Sequence, residues 1–529
     1  MDPLSVAGLT IAVLDQLWKL GDRTAELVGN FRSFDSDTKT LESKIRDENN
    51  RTRALQKLLF DKSSTYGGNA LFDLFDNDVQ EQIKIFLEEA SDILDQAYSV
   101  LGRTLGSSFM VSRNFNSDPR TVGDLESKPP GSVQRFRWSF SSKKRVEAIV
   151  HDFSDYNGRI HENIKLWCLA TSIGVNLQHL ERLGSDINSR VLGFDVDAKL
   201  QLATTQEKRT TQSLEMSGPQ LHQQLVDVQP IAENFGLFQW EGNTILAEYR
   251  SYASDSPVPV NLDDRTRDLV DKLANLLHQP KEVIFRTPRC QGWVRQIQHN
   301  RVAYLFSIPD AVDPKPITLL EVLGSTPPSL SERFCLATKI SRCISQLQLV
   351  QWVHESFRSE NILFFPQANT PDAESQTEVN PDLGEPWVFG FEFSRPEAYF
   401  SHGVEDNSVA RNIYRHPNRQ HNPTQVFSKI HDIYALGVVL LEIGLWQPAT
   451  SLERYGFAKV KDREAIKGRL IQQAEKRLGS KMGDRYKSVV LKCLEGDFGI
   501  RDDTKEDLKL QQAFRAQVVD VLEKVTGSI

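Results

Sequence analysis

The pattern of apolar residues changes character near Ile231, and that change divides what the chain can fold into. Before it, apolar residues recur at helical spacing over long stretches. After it come short runs rich in β-branched and aromatic residues, TILAEYRSY, EVIFRT and RVAYLFSI, with one helical stretch, Asp264 to His278, among them; from about Leu330 the pattern is mostly helical again. Helical and strand periods place side chains on different faces, so one segment cannot satisfy both. The fold class expected is therefore multidomain: an all-α N-terminal helical bundle, then an α+β bilobal region with a small sheet-rich lobe, a larger helical lobe and a cleft between them. A chain of 529 residues is too long for one ordinary core.

Within the first part, Asp2 and Pro3 supply a capping carboxylate and a proline suited to the first helical position, so a helix is expected from about Pro3. Leu41, Ile45, Leu55 and Leu58 mark a second amphipathic helix. Residues 78–101 give the clearest stripe, from Val79 through Ile83, Phe86, Leu87 and Leu94 to Leu101. After a Gly/Ser/Pro-rich loop over residues 106–131, another helix begins near Ser141 and carries Val146, Ile149, Val150, Phe153 and Ile160. These helices pack most simply as a bundle over residues 1–183. The polar stretch 184–230, containing ATTQEKRTTQS, reads as a connector to a domain over 231–529.

Composition narrows the function. A formal charge of −8 argues against general nucleic-acid binding, since phosphate contacts need a basic face. Cys168, Cys290, Cys335, Cys343 and Cys493 are scattered and form no CxxC pair, which suits reduced, buried thiols in a cytoplasmic protein; no metal or cofactor is expected. The N-terminus lacks a basic n-region, so it is not read as a secretory signal. It is uncharged from Leu4 to Leu14, through Val6, Leu9, Ile11 and Val13. Eleven helical residues reach about 16 Å, against a hydrocarbon core of about 30 Å, so the run alone cannot cross a bilayer. It suits the central helix of a bundle and also conditional membrane contact, for which Asp15 and Lys19 would pair four residues apart. The basic run Lys143, Lys144, Arg145 suits either a solvated helix start or anionic lipid.

Several motifs in the second part carry a resemblance. WVHESFRSENILFF, residues 352–365, resembles the protein-kinase catalytic loop H-R-D-L-x-x-x-N, retaining His354 and Asn361 but placing Glu355 and Ser356 at the arginine and aspartate positions. A serine hydroxyl cannot replace the carboxylate that receives the substrate proton. VFGFEFSR resembles the metal-binding segment, with Gly390 where a magnesium-binding aspartate would stand, then Phe391 and Glu392. IYRHPNRQ places Asn418 at the glutamate of the A-P-E segment, and Arg501 in CLEGDFGIR resembles that glutamate's arginine partner. HDIYALGVVLLEIGLW resembles the helix whose aspartate caps the catalytic-loop backbone, through Asp432 and Gly437. No G-x-G-x-x-G precedes TILAEYR, where Arg250 falls at the V-A-I-K lysine position; Arg250 and Asn361 are the remaining candidates for a weak nucleotide site. The resemblance implies a pseudokinase.

MDPLSVAGLTIAVLDQLWKLG, together with FRWSFSSKKRVEAIVHDFSDYNGRI, resembles the fungal HeLo, or prion-inhibition-and-propagation, domain. That resemblance implies a helical bundle whose N-terminal helix can act on membranes, in allorecognition or programmed cell death. The expectation is a non-catalytic signalling protein: the pseudokinase domain controls the bundle through protein partners, and the bundle self-associates or contacts membrane. A divergent ATP-binding kinase and a purely structural interaction scaffold stand as alternatives.

Overall fold

The computed structural model describes residues 5–29, 36–105, 140–205, 213–226, 228–252, 258–309, 312–313, 315–366, 381–391, 394–396, 408–421, 423–453, 457, 462–504 and 507–529. The chain divides into two compact units, Met1–Ala198 and Lys199–Ile529.

The first unit is helical. It contains α1 (Val6–Gly29), α2 (Ser36–Phe60), α3 (Asn77–Leu105) and α4 (Phe140–Ala170), followed by α5 (Leu177–Ser185) and α6 (Ile187–Leu192). α1 packs against both α2 and α3, and α4 against α3 and α2. The buried positions of α1 are Thr10, Leu14, Leu17, Thr24, Ala25 and Val28, which recur at helical spacing. The run singled out in the sequence enters the core at Thr10 and Leu14. Leu14 is fully buried, Val6, Ile11 and Val13 are half-buried and Leu9 is 39% exposed, while Leu4 lies outside the described residues. Asp15 does not pair with Lys19; its Oδ1 accepts from the Gln56 amide of α2 at 2.9 Å, because α2 lies alongside that face. No helix among the described residues is long and apolar enough to cross a membrane. The loop 106–131 lies outside them, as do the side chains of Lys143, Lys144 and Arg145.

Polar anchors tie α4 in place. Glu48 of α2 accepts from Ser154 at 3.0 Å and from Asn157 at 2.6 Å. Lys165 pairs at 2.7 Å with Asp197, both almost fully buried. His161 is buried in this core, and neither ring nitrogen has a hydrogen-bond partner among the described residues. Asp197 belongs to α7 (Asp195–Thr205), within which the division between the units falls.

The expected connector, 184–230, is therefore corrected. It holds α6, α7 and α8 (Pro219–Gln224), and only residues 206–212 and 227 of it lie outside the described residues. Its polarity is partly capping chemistry. Asp186 accepts from the amides of Asn188 and Ser189, and Gly193 closes α6 in the left-handed region at φ 74°.

In the second unit, β1 (Gln229–Ala232), β2 (Phe235–Trp240), β3 (Asn243–Ser251), β4 (Cys290–Gln296) and β5 (Arg301–Ser307) form an antiparallel sheet in the order β1-β2-β3-β5-β4. α9 (Asp264–His278), capped by the Asp263 carboxylate, lies between β3 and β4 in sequence and packs on β4. One sheet face carries Leu246, Val302, Tyr304 and Phe306 into the main core with α9. The other carries Ile245, Ala247, Leu305 and Val294 against Leu221 and Leu225, at α8. EVIFRT is not a strand: Val283–Phe285 form a 3-10 turn, ended by Arg286 at φ 50°. The Phe285 carbonyl accepts from Cys343 Sγ rather than from a neighbouring strand.

The rest is mainly helical: α10 (Leu330–Leu349), α11 (Lys429–Leu445), α12 (Arg463–Glu495), α13 (Leu508–Phe514) and α14 (Asp520–Thr526). Short strands β6 (Ile317–Thr318), β8 (Ile362–Phe364) and β9 (Trp387–Val388) pair in one ladder, and β7 (Trp352–Val353) with β10 (Arg395–Pro396) in another. α11 is buried along nearly its whole length and packs on α12. A Cβ at Gly437 would lie 2.8 Å from the Cys493 Cβ, so that residue sets how closely the two helices approach. All five cysteines are free thiols; four are buried and Cys335 is partly exposed.

Candidate functional site

Of the residues expected to mark a site, His354, Ser356, Asn361, Gly390 and Asp432 meet at the segment from β7 to β8. Asp432, in the first turn of α11, accepts the backbone amides of His354 at 2.7 Å and Glu355 at 3.0 Å. These bonds hold the loop, including Glu355 in the left-handed region at φ 62°. The His354 ring is fully buried between Phe357 and Phe391, at centroid distances of 5.6 and 4.9 Å, and burial pushes its pKa down to about 3. It is a neutral packing residue.

Ser356 and Asn361 face each other across this loop. The Asn361 amide donates to the Ser356 carbonyl at 2.7 Å and to its hydroxyl at 3.3 Å. Beyond β9, the Phe389 amide bonds the Asn361 carbonyl at 2.8 Å, which brings Gly390 against the same amide group. Gly390 sits at φ 87°, and a Cβ built on it would lie 2.0 Å from Asn361 Nδ2. No side chain fits there, an aspartate included, because both the backbone conformation and the space exclude it. The Gly390 amide donates to Glu248 Oε2 of β3 at 3.1 Å, and Glu248 is fully buried.

Arg250 is thus not the β3 side chain that meets this loop. Two residues beyond Glu248 on the same face of the strand, it lies beside the Tyr304 hydroxyl. Phe389 packs edge-on against Phe306 at 5.3 Å and Phe235 at 5.9 Å, so three buried aromatic rings lie between the sheet and the loop. The hydrogen bond open to Asn418 and Arg501 is not formed. The Asn418 amide donates to Gln425 at 2.8 Å, while Arg501 is exposed, past a turn in which Gly499 has φ 70°. Glu392 lies outside the described residues.

The structure adds two residues that sequence reasoning missed. Glu248 was hidden because strand alternation gives residues 248 and 250 the same face. Arg358, buried and paired with Glu360 at 3.0 Å, had a legible signal: it is a cation two residues after Ser356. With Ser356, Arg411, Tyr414, Arg415 and His431 it lines a cavity of about 20 Å³, room for a single water. Among the described residues, no group of three or more His, Cys, Asp or Glu stands together as a metal site.

Residues 303–528 match the family model described as a domain of unknown function (DUF7580). No curated protein matches the chain.

Proposed function

We propose that the chain is a non-catalytic regulatory protein, in which a pseudokinase domain of the second unit reads a protein partner and controls a HeLo-type helical bundle. The observation that carries this reading is Gly390: the position where a magnesium-binding aspartate is needed holds a residue that must lack a side chain, pressed against the Asn361 amide. The kinase-like assignment is supported by the antiparallel five-stranded sheet with α9 between β3 and β4, by the helical remainder, and by the Asp432 bonds to the loop holding His354. The non-catalytic assignment is supported by the Asn361 amide nitrogen, which is bonded to Ser356 and pressed against Gly390, and by Phe389 wedged between Phe235 and Phe306. The bundle delivers the output by self-association or conditional membrane contact, in a cytoplasmic protein of the allorecognition or cell-death type.

Purified chain mixed with ATP and magnesium is expected to show no thermal shift and no phosphate transfer. A magnesium-dependent shift, with transfer abolished by Asn361→Ala, overturns the pseudokinase reading in favour of a divergent kinase. Dye-loaded anionic liposomes test the output. Leakage on addition of the full chain supports the membrane arm, while inertness together with a monomeric sedimentation profile reduces the protein to a scaffold.

A further inference from the structure

A chain of buried polar groups links three separate pieces of the second unit. Ser359, in the loop after β7, lies with its Oγ 2.8 Å from the Tyr414 hydroxyl. Tyr414 belongs to the segment 408–421, and its hydroxyl donates to Glu442 Oε1 of α11 at 2.7 Å. Tyr414 therefore accepts from Ser359. The amide of Ala449, past the end of α11, donates to the same Oε1 at 2.7 Å. Ser359 and Glu442 are fully buried and Tyr414 is 7% exposed.

The two carboxyl oxygens of Glu442 are treated very differently. Oε1 carries two donors, as a carbonyl oxygen can, whereas Oε2 has no hydrogen-bond partner among the described residues. A buried anionic oxygen without a donor is far more unfavourable than a buried neutral hydroxyl, so this geometry suits the protonated acid. We propose that Ser359, Tyr414 and Glu442 form a proton-controlled latch, which holds segment 408–421 on the loop carrying Ser356 and Asn361 while Glu442 is neutral and releases it when Glu442 ionises.

Ionisation breaks the carboxyl O–H bond and passes the proton to solvent; no oxidation is involved. Burial pushes the Glu442 carboxyl up to about 7, so the change falls in a range a cell can reach. Glu360, beside Ser359, adds a repelling carboxylate. The other polar groups near this part of α11 do not compete. Tyr486 of α12 donates to the Leu440 carbonyl, and Arg333 of α10 donates to the Gly444 carbonyl. His416 and His431 are held down at about 4 and about 3 by burial, so they stay neutral throughout.

Hydrogen exchange of the full chain from about pH 5.5 to about pH 8.5, corrected for intrinsic rates, tests the latch. Opening of peptides from 408–421 is expected to rise about tenfold per pH unit up to about pH 7, because the closed state holds the Glu442 proton and the open state loses it, and to level off above about pH 7, where Glu442 is ionised in both. Glu442→Gln is expected to remove that rise, and Tyr414→Phe to raise opening at every pH. A flat wild-type profile, an unchanged slope in Glu442→Gln, or an unchanged level in Tyr414→Phe overturns the proposal. If the glutamine variant does not fold, infrared spectroscopy of the wild type decides. A protonated-carboxyl band present at about pH 6 and lost by about pH 8 supports the latch, and its absence at about pH 6 sinks it.

Discussion

Gly390 concentrates two independent constraints in one residue. Its φ of 87° disfavours any L side chain, and the Asn361 amide occupies the place a Cβ would take. Gly390→Ala should therefore destabilise the second unit by about 2–4 kcal/mol, read as a lowered urea midpoint with unchanged slope. An unaltered midpoint would mean that Asn361 moves aside freely. Gly390→Asp should likewise destabilise without creating magnesium-dependent nucleotide binding. The side chains at this point were legible in the sequence, because Ser356 and Gly390 stand at fixed spacings from His354 and Asn361. What packs against them was not. The role of Glu248 depends on which of two same-face side chains on β3 meets a loop 142 residues away, and strand parity cannot decide that.

Among the elements, those with strong local signals were the legible ones. α9 runs over Asp264–His278, the stretch read as helical in the sequence, and β3 and β5 fall on the β-rich runs. The apolar Val283–Phe285 misled, because nothing local announces that Arg286 adopts φ 50° and that a cysteine thiol takes up the carbonyl before it. β4 was missed for the opposite reason: CQGWVRQ contains too many polar residues to stand out, although Trp293 and Val294 are fully buried. The contact between α11 and α12 offers a test at this scale. Gly437→Ala should force the helices apart at Cys493 and lower stability by about 1–3 kcal/mol, measured by chemical denaturation. Stability within error of wild type would show that the contact yields.

Across the whole molecule, buried histidines make both units sensitive to acid, and the Glu442 latch adds a response of the opposite sign in the second. In the first, His161 is held neutral by burial, its pKa well below the ordinary value, with Arg51 adding repulsion. The unfolded chain binds that proton more readily, so the unit's stability is full above about pH 6.5 and declines as pH falls below it. Hydrogen exchange of α4 peptides in the full chain should accelerate on acidification after correction for intrinsic rates. His161→Phe should lessen the effect, leaving the part due to His179, which burial lowers to about 4. A pH dependence identical in His161→Phe would assign all of it elsewhere. In the second unit, ionisation of Glu442 acts in the other direction, loosening one segment as pH rises.

The buried thiols give each unit its own reporter. Cys168 lies in the first, while Cys290, Cys343 and Cys493 lie in the second, and burial raises all four well above the usual thiol range. Neither closed unit offers a reactive thiolate at these positions, so an alkylating reagent must wait for each to open. Pulse alkylation read residue by residue therefore times the opening of the two units separately in the unmodified chain, with the partly exposed Cys335 marking how much reagent was present.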